Sequence, residues 1–313
     1  MNKNAKTEKL SQAKEMARLL VRHYFGSKSR LITHKTSGLS NFVFALGHAK
    51  DGFIVRISFD PARISSFIKE QWAQEKAREI GVPTPEILEV GNEIIGYPFM
   101  ISRTVLGGEA TFHPNRLHVL REMGRIAALI NSIQTTGFGC TFDWSSNQLS
   151  RNETWGEFLE NELQLETRLE ILKRQRMLSA PQIKKIRRIF KDVEKSNPKP
   201  TLNHGDIRLK NVIVNDAGEV NAILDWDNST SNLAPHWELS IALHDLTVDE
   251  KQEFLKGYGL PERKIVEIAP VMKAVNIINY APKIERLAES KDTAKIEQCR
   301  TRLSGALDLY SLS

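Results

Sequence analysis

Cysteine is nearly absent from this sequence, with only Cys140 and Cys299 among 313 residues. Two thiols are too few for a disulfide framework or for a metal site built from cysteines. The chain also lacks any apolar run near the ~18–20 residues that cross a bilayer. Its polar start, residues 1–9, and the short apolar cluster at 19–21 do not resemble a signal peptide. We therefore expect a protein of the reducing cytoplasm with no membrane partner.

The net charge of +6 is not accompanied by a nucleic-acid motif. Much of the charge falls on one face of a predicted amphipathic helix, at Lys184, Lys185, Arg187, Arg188 and Lys191. No aromatic residues interleave with these cations to stack on bases. A solvated helix face is the simpler interpretation, so we expect no nucleic-acid partner. Composition is that of a globular protein, 41% hydrophobic and 26% charged, and the length permits two or three lobes.

The most informative stretch is His204-Gly205-Asp206, followed by Asn211 and, after a hairpin, by Asp225. The hairpin is predicted from two apolar strands and a turn, over residues 211–215, 220–224 and 216–219. Because a short hairpin brings its ends together, Asn211 and Asp225 should be neighbours, with Asp206 close by. Carboxylate and amide oxygens on loops and strand ends suit Mg²⁺ that carries nucleotide phosphates. The stretch therefore predicts a metal site beside a carboxylate that can accept a proton.

The spacing of this stretch is that of a kinase catalytic loop. In protein kinases an Asp base is followed by a cation two residues later and by a metal-binding Asn five residues later. Asp206, Arg208 and Asn211 occupy those three positions. Asp225 then occupies the place of the metal-binding Asp that follows the hairpin.

Two departures from the protein-kinase pattern indicate another branch of the same fold. Gly205 stands where protein kinases have Arg, and Asp225-Trp226-Asp227 replaces Asp-Phe-Gly. The chain resembles the aminoglycoside phosphotransferase family, whose pattern is His-Gly-Asp, then Asn, then Asp-Trp. Local features similar to its hygromycin B phosphotransferase branch lie at residues 53–57, 83–88, 101–103, 136–139 and 154–155. No Ala-Pro-Glu segment follows, which argues against a protein kinase.

The resemblance extends over about residues 37–246 and implies an α+β, bilobal, protein-kinase-like fold. The expected lobes are a small, β-rich N-lobe (residues 1–103) and a large, mainly helical C-lobe (residues 104–313). The implied reaction is transfer of the γ-phosphoryl group of ATP to a hydroxyl, with Mg²⁺ as cofactor; GTP stays open as the donor. Asp206 would be the base and Arg208 would offset charge on the transferring group. Asn211 and Asp225 would bind Mg²⁺, and Asp227 is a candidate ligand for a second ion.

Three N-terminal segments are candidate nucleotide contacts. A turn of small residues lets backbone N–H groups approach phosphate oxygens, and its candidates are Ser37, Gly38, Ser40 and Asn41. Arg56 lies in an apolar strand and needs an anionic partner; the resemblance implies that it holds phosphates and pairs with Glu70, with Glu75 as the competitor. The linker between the lobes would hydrogen-bond the adenine through its main chain, at Ser102, Arg103 and Thr104.

An acidic segment suggests the chemistry of the acceptor. Residues 153–170 contain six glutamates and only one arginine, in a chain that is otherwise net basic. The family resemblance implies that such an insert binds a polycationic acceptor, whereas a solvated face is the alternative. The candidate acceptor contacts are Glu157, Glu160, Glu162 and Glu238. For Glu238, bracing of the catalytic loop is the favoured interpretation.

Three functional classes remain open from the sequence. The first is a kinase of an aminoglycoside-type antibiotic, which would confer resistance. The second is a metabolite kinase of the same fold that acts on choline, ethanolamine, a sugar or an amino alcohol. The third is a non-catalytic nucleotide-binding protein, although neither the base nor a metal ligand is missing here. The expected partner is a small, cationic hydroxyl acceptor, and the chain is expected to be a monomer or homodimer.

Overall fold

The computed structural model describes residues 3–26, 32–35, 41–47, 52–140 and 152–308. The chain divides into two compact units, each made of two segments. Unit 1 comprises Met1–Val119 and Leu209–Asp227, and unit 2 comprises Leu120–Arg208 and Asn228–Ser313. The lobe boundary near residue 103 stays a prediction. No helix in the described part of the chain is long and apolar enough to cross a membrane.

Unit 1 is built on a five-stranded antiparallel sheet with the strand order β1-β2-β3-β5-β4. Its strands are β1 (Ile32–Lys35), β2 (Phe42–Leu46), β3 (Phe53–Ile57), β4 (Ile87–Gly91) and β5 (Phe99–Arg103). Helix α1 (Lys3–Phe25) packs its Ala13, Ala17 and Leu20 stripe against the buried side chains of this sheet. Side chains alternate between the two faces of a strand, so the buried Phe53, Val55 and Ile57 leave Arg56 on the other face.

Unit 1 also contains helix α2 (Arg63–Glu79) and a second, three-stranded sheet. This sheet has the order β6-β8-β9, from β6 (Gly108–Glu109), β8 (Val212–Val214) and β9 (Val220–Ile223); β7 lies in unit 2. Strands β8 and β9 are the hairpin predicted from the sequence. The Ile223 N–H donates to the Pro83 carbonyl at 2.8 Å, which ties the hairpin to the segment that follows α2.

Unit 2 is mainly helical. Its helices are the end of α3 (Arg116–Ile130), α4 (Trp155–Glu157), α5 (Leu165–Arg174), α6 (Ala180–Lys195), α7 (His236–Ala242), α8 (Val248–Tyr258), α9 (Glu262–Asn279), α10 (Ala281–Glu289) and α11 (Thr293–Asp308). A short antiparallel pair, β7 (Thr201–Asn203) and β10 (Thr230–Asn232), lies on either side of the hairpin in the chain. The core is apolar and includes Trp155, Phe158, Phe190 and Ile278. The fold class predicted from the sequence, α+β with a small antiparallel sheet and a mainly helical remainder, is confirmed.

Helices α3 and α8 approach each other closely because each has a glycine at the contact. A Cβ on Gly124 would lie 2.0 Å from the Phe254 carbonyl oxygen, and one on Gly257 would lie 1.8 Å from the Arg121 carbonyl oxygen. Real side chains do not approach main-chain oxygens so closely. The two backbones can therefore touch only where the side chain is a hydrogen atom.

Candidate active site

The hairpin of unit 1 brings together two of the predicted metal ligands. Asn211 ends a single 3-10 turn directly before β8, and its carbonyl accepts the Leu224 N–H at 2.7 Å. The next residue along the chain is Asp225, so the expectation that Asn211 and Asp225 are neighbours is confirmed. Asn211 is buried, whereas Asp225 is exposed and has a left-handed backbone conformation, with φ of 64°.

Asn211 and Asp225 supply oxygen atoms of the kind that a magnesium ion shared with phosphate would use. Within the described ranges, no group of three or more His, Cys, Asp or Glu side chains could hold a metal ion. Magnesium usually takes one or two carboxylates and keeps other positions for water and substrate phosphates. One exposed carboxylate at Asp225 beside an amide at Asn211 is compatible with that pattern.

Asp227, two residues after Asp225, is held by helix α2. Its Oδ2 accepts a hydrogen bond from Arg63 Nη2 at 2.7 Å, and the two side chains are about one-fifth and one-quarter exposed. Its main-chain carbonyl accepts a second bond from Lys69 Nζ at 2.8 Å. Both the side chain and the backbone of Asp227 are therefore bound to cations from one helix.

The ion pair between Arg56 and Glu70 forms as the sequence predicts. Arg56 Nη1 donates to Glu70 Oε2 at 2.6 Å, and Nη2 donates to Oε1 at 3.1 Å. Glu70 is fully buried, whereas the competitor Glu75 is exposed and accepts a bond from Gln71. The bidentate geometry holds the guanidinium plane in one orientation.

The negative charges of Asp225 and Asp227 act on this ion pair. Burial raises the pKa of Glu70 and the paired Arg56 opposes that rise, while Asp227 and Asp225 add to it through their negative charge. Burial by itself lowers the pKa of Arg56, but Glu70 and then Asp225 and Asp227 raise it above its ordinary value. Arg56 is therefore a permanent cation close to three carboxylates of unit 1.

The linker uses part of its main chain inside unit 1. The Arg103 N–H donates to the Glu86 carbonyl at 2.8 Å, and the Thr104 N–H donates to the Gly52 carbonyl at 2.9 Å. Arg103 also forms an ion pair with Glu86, and Ser102 pairs with Ile54 across β3 and β5. A nucleotide base would have to use other main-chain groups of this segment.

The predicted phosphate-binding turn falls mostly outside the described residues. Ser37, Gly38 and Ser40 are among the residues that the structure does not describe. Asn41 is described and lies directly before β2. The nucleotide-binding roles of these four residues stay predictions.

Glu238 on α7 supports the predicted catalytic loop of unit 2, at His204-Gly205-Asp206, by accepting main-chain hydrogen bonds. This carboxylate is fully buried and accepts the His204 N–H at 2.5 Å and the Gly205 N–H at 3.3 Å. The pKa of Glu238 is raised to about 7: burial is the largest cause and Asp206 adds to the rise, whereas the hydrogen bonds from His204 and Gly205 oppose it. The geometry supports the loop-bracing interpretation of Glu238 rather than an acceptor contact.

Asp206 lies in the braced loop with little exposure. Its N–H donates to Nδ1 of the buried His204 at 3.2 Å. Gly205, before it, has φ of 76°, and a Cβ there would lie 2.2 Å from the Asn228 carbonyl oxygen. The arginine that protein kinases carry at this position would not fit, which explains the His-Gly-Asp form of the motif.

Arg208 connects the base to a second carboxylate that the sequence did not single out. Its guanidinium forms an ion pair with Asp206, and its Nη1 lies 3.9 Å from Asp245 Oδ2. Asp245 in turn lies 3.5 Å from Arg302 Nη1 and 3.7 Å from His244 Nε2. Asp245 had no sequence signal of its own, because it lies in the short link between α7 and α8.

The acidic segment is less free than its sequence suggests. Glu157 accepts bonds from the Glu153 and Thr154 N–H groups and thereby caps its own helix, at 2.6 and 3.2 Å. Glu162, which ends a π-helical turn (Phe158–Glu162), accepts bonds from the Cys140 N–H and from Asn152.

Two further glutamates of this segment have basic partners. Glu166 pairs with Arg187 of α6 through two bonds of 2.9 and 2.6 Å. Glu170 pairs with Lys173 one turn along α5. Glu160 is exposed as well. Of the three proposed acceptor contacts in the segment, Glu157 and Glu160 are exposed and Glu162 is partly buried.

Comparison with known proteins agrees with the fold. The model of the phosphotransferase enzyme family matches residues 32–263. No curated protein matched in sequence. A thermostable mutant of aminoglycoside phosphotransferase APH(4)-Ia in its apo form is similar, with a TM-score of 0.68, 18% identity, and 95% of this chain and 99% of that chain covered.

Two further solved structures show the same fold at low identity. A ternary complex of APH(4)-Ia with AMP-PNP and hygromycin B has a TM-score of 0.68 at 17% identity and covers 95% of this chain and 99% of that one. A putative aminoglycoside phosphotransferase from Ralstonia eutropha has a TM-score of 0.61 at 15% identity and covers 95% and 96%. The resemblance drawn from the sequence is confirmed by these matches.

Proposed function

This chain belongs to the phosphotransferase enzyme family, and on that premise we propose that it transfers the γ-phosphoryl group of ATP to a hydroxyl of an aminoglycoside-type antibiotic. The observation that carries the proposal is the arrangement of unit 1. There the bidentate Arg56–Glu70 pair accompanies a hairpin that ends in Asn211 and Asp225. A fixed guanidinium can bind the phosphates of a nucleoside triphosphate, and an amide and a carboxylate can bind the Mg²⁺ that accompanies those phosphates.

Each residue has a defined part in this reaction. Arg56 binds phosphate oxygens, and its orientation is fixed by Glu70. Asn211 and Asp225 would hold Mg²⁺, and the ion would supply positive charge beside the phosphate oxygens. Phosphoryl transfer depends on positioning and charge neutralisation more than on covalent chemistry, so these contacts account for most of the work assigned to unit 1.

The catalytic loop of unit 2 handles the acceptor hydroxyl. The oxygen of the acceptor hydroxyl forms a bond to the γ-phosphorus of ATP. The bond from that phosphorus to the β–γ bridging oxygen breaks, so that ADP leaves, and the hydroxyl proton passes to Asp206. Arg208 forms an ion pair with Asp206. In the reaction this guanidinium offsets charge on the transferring group.

An amine-bearing acceptor is supported by two observations. The solved structures with the same fold include complexes with hygromycin B and with kanamycin. In this chain, Glu160 offers an exposed carboxylate within the acidic segment. Exposed carboxylate–ammonium pairs contribute only ~0.2–1 kcal/mol each, so recognition of a polyamine acceptor needs several such contacts.

A metabolite kinase is the second candidate, and the engaged glutamates favour it. Glu157, Glu162 and Glu166 already accept bonds from their own chain. A segment with fewer available carboxylates is better matched to an acceptor with a single amine, such as choline or another amino alcohol. The two candidates share every step at the phosphates and differ only in the acceptor.

The test is an ATP-consumption screen of the purified protein against hygromycin B, kanamycin, choline, ethanolamine and small sugars. Acceptor-dependent turnover should appear with an aminoglycoside and should fall at least ~100-fold in Asp206→Asn, given the usual contribution of a positioned general base. Nucleotide affinity in that variant should stay close to wild type. Turnover with choline alone would select the metabolite kinase. If Asp206→Asn kept more than about a tenth of wild-type kcat, the base assignment would be refuted.

A further inference from the structure

We propose that Asp227 positions the metal-binding loop instead of binding a second ion, and that Arg63 and Lys69 hold it in place. These three residues are called the α2 latch. The inference rests on the proposed function, because it concerns the loop that would bind Mg²⁺ and the nucleotide. It departs from the sequence-based suggestion that Asp227 is a candidate metal ligand.

The side chain of Asp227 already has a cationic partner. Arg63 Nη2 lies 2.7 Å from Asp227 Oδ2, and both side chains are partly buried. The Arg63 guanidinium also lies 6.0 Å from the ring centroid of the fully buried Phe67, one turn further along α2. A second metal ion at Asp227 would have to displace this guanidinium or lie beside it, and like charges repel at such distances.

The backbone of Asp227 is held by a second cation. Lys69 Nζ donates to the Asp227 carbonyl at 2.8 Å, and the Lys69 residue is only 7% exposed. A buried ammonium is stable only where oxygen atoms replace its water shell. The contact therefore fixes the main chain of the loop, and not only the orientation of one side chain.

Helix α2 connects this loop to the phosphate-binding arginine. Glu70, next to Lys69 in the chain, holds Arg56 through two hydrogen bonds. The Arg56 guanidinium lies 5.1 Å from the centroid of the same Phe67 ring that Arg63 approaches. One helix therefore positions both the group that binds phosphate and the loop that carries the metal ligand.

The loop needs such support because of its backbone conformation. Asp225 has φ of 64°, in the left-handed region that residues other than glycine seldom occupy. A conformation of this kind persists where surrounding contacts determine it. The latch holds Asp227, two residues after Asp225. Between them, Trp226 is fully buried, and its Nε1–H donates to the Ile223 carbonyl at 3.0 Å.

The decisive experiment exchanges the charges of the latch. Arg63→Glu, Asp227→Arg and the double variant are compared for the Mg²⁺ concentration that half-saturates binding of a fluorescent ATP analogue. Each single change should raise that concentration at least about fivefold, and the double variant should return most of the way to wild type, because contacting residues show strong coupling in such cycles. Lys76→Glu is the matched control, because it reverses the charge of one residue in the exposed Lys76–Glu79 pair on the same helix. It should leave the half-saturating Mg²⁺ concentration unchanged.

A second variant covers the case in which the charge reversals do not fold. Lys69→Met removes the bond to the Asp227 carbonyl and leaves every carboxylate in place. It should also raise the Mg²⁺ requirement and speed amide hydrogen exchange at residues 224–228. If Asp227 is a metal ligand instead, Lys69→Met will leave the Mg²⁺ requirement unchanged and the double variant will remain as defective as Asp227→Arg, which overturns the proposal.

Direct phosphate binding by Arg63 and Lys69 is the other outcome that would overturn the latch. In that case Arg63→Glu and Lys69→Met would weaken binding of the nucleotide in EDTA as well, and the double variant would not recover. Thermal unfolding of all variants in EDTA separates this inference from the proposed function. If wild type binds no Mg²⁺–nucleotide, the proposed function fails, yet recovery of Tm in the double variant would still establish the latch.

Discussion

Replacement of Glu238 by glutamine should change how the stability of the protein depends on pH. This carboxylate is fully buried and lies under the catalytic loop, where it accepts the N–H groups of His204 and Gly205. Burial is the largest cause of its raised pKa, about 7 against an ordinary value of 4.5. Glutamine has nearly the same shape and keeps one oxygen acceptor, but it cannot titrate.

The sign and size of the effect follow from the two pKa values. Because the folded pKa is the higher one, the proton of Glu238 stabilises the folded state. This contribution is complete below the unfolded pKa and is lost as the pH rises through about 7. Linkage between those values removes about 2–3 kcal/mol from the free energy of unfolding between about pH 5 and pH 8. Glu238→Gln should lack this term.

The assay is urea denaturation of wild type and Glu238→Gln at several values between about pH 5 and pH 8. The difference in unfolding free energy between the two proteins should shift by about 2–3 kcal/mol across that range, in favour of the variant at the higher pH. Exposed carboxylates elsewhere titrate equally in both proteins and cancel in the difference. A difference that is flat with pH would refute the reasoning, since it would mean that the two N–H bonds keep Glu238 ionised throughout.

Two further predictions concern other parts of the molecule. Glu70→Gln should raise the nucleotide KM about tenfold, because a neutral acceptor holds Arg56 less firmly than a carboxylate, whereas Glu75→Gln on the exposed side of α2 should leave it unchanged; equal effects in steady-state kinetics would argue against the pair. Gly124→Ala should lower the free energy of unfolding by more than about 2 kcal/mol despite the better helix propensity of alanine, because its methyl would meet the Phe254 carbonyl. In urea denaturation Gly108→Ala, whose methyl meets open space, serves as the control, and similar losses in both would contradict the close-packing explanation.

The sequence was informative where function constrains local spacing. The catalytic loop and hairpin have a fixed order of residues, so the neighbouring positions of Asn211 and Asp225 could be predicted. An anionic partner for Arg56 could also be predicted, because an arginine in a buried strand requires one, and the family resemblance identified that partner as Glu70.

Contacts between distant segments were not visible in the sequence. Arg63 and Asp227 are 164 residues apart, and nothing in either local pattern indicates that they meet. In the sequence, residues 153–170 form an acidic segment with a single arginine. In the structure, Glu166 of that segment pairs with Arg187 from another helix. The segment is also interrupted, because Gln164 has φ of 54° and separates a π-helical turn from α5.

The discontinuous composition of unit 1 has a consequence for synthesis of the chain. Its last segment, Leu209–Asp227, is preceded by the 89 residues from Leu120 to Arg208 that belong to unit 2. At translation rates of ~5–20 residues per second, those residues take roughly 4–18 s to emerge. During that interval α2 has been synthesised but Asp227 has not, so Arg63 and Lys69 lack the Asp227 oxygens that they bind in the folded protein. A nascent chain halted before residue 209 would therefore contain Arg56 without either proposed metal ligand.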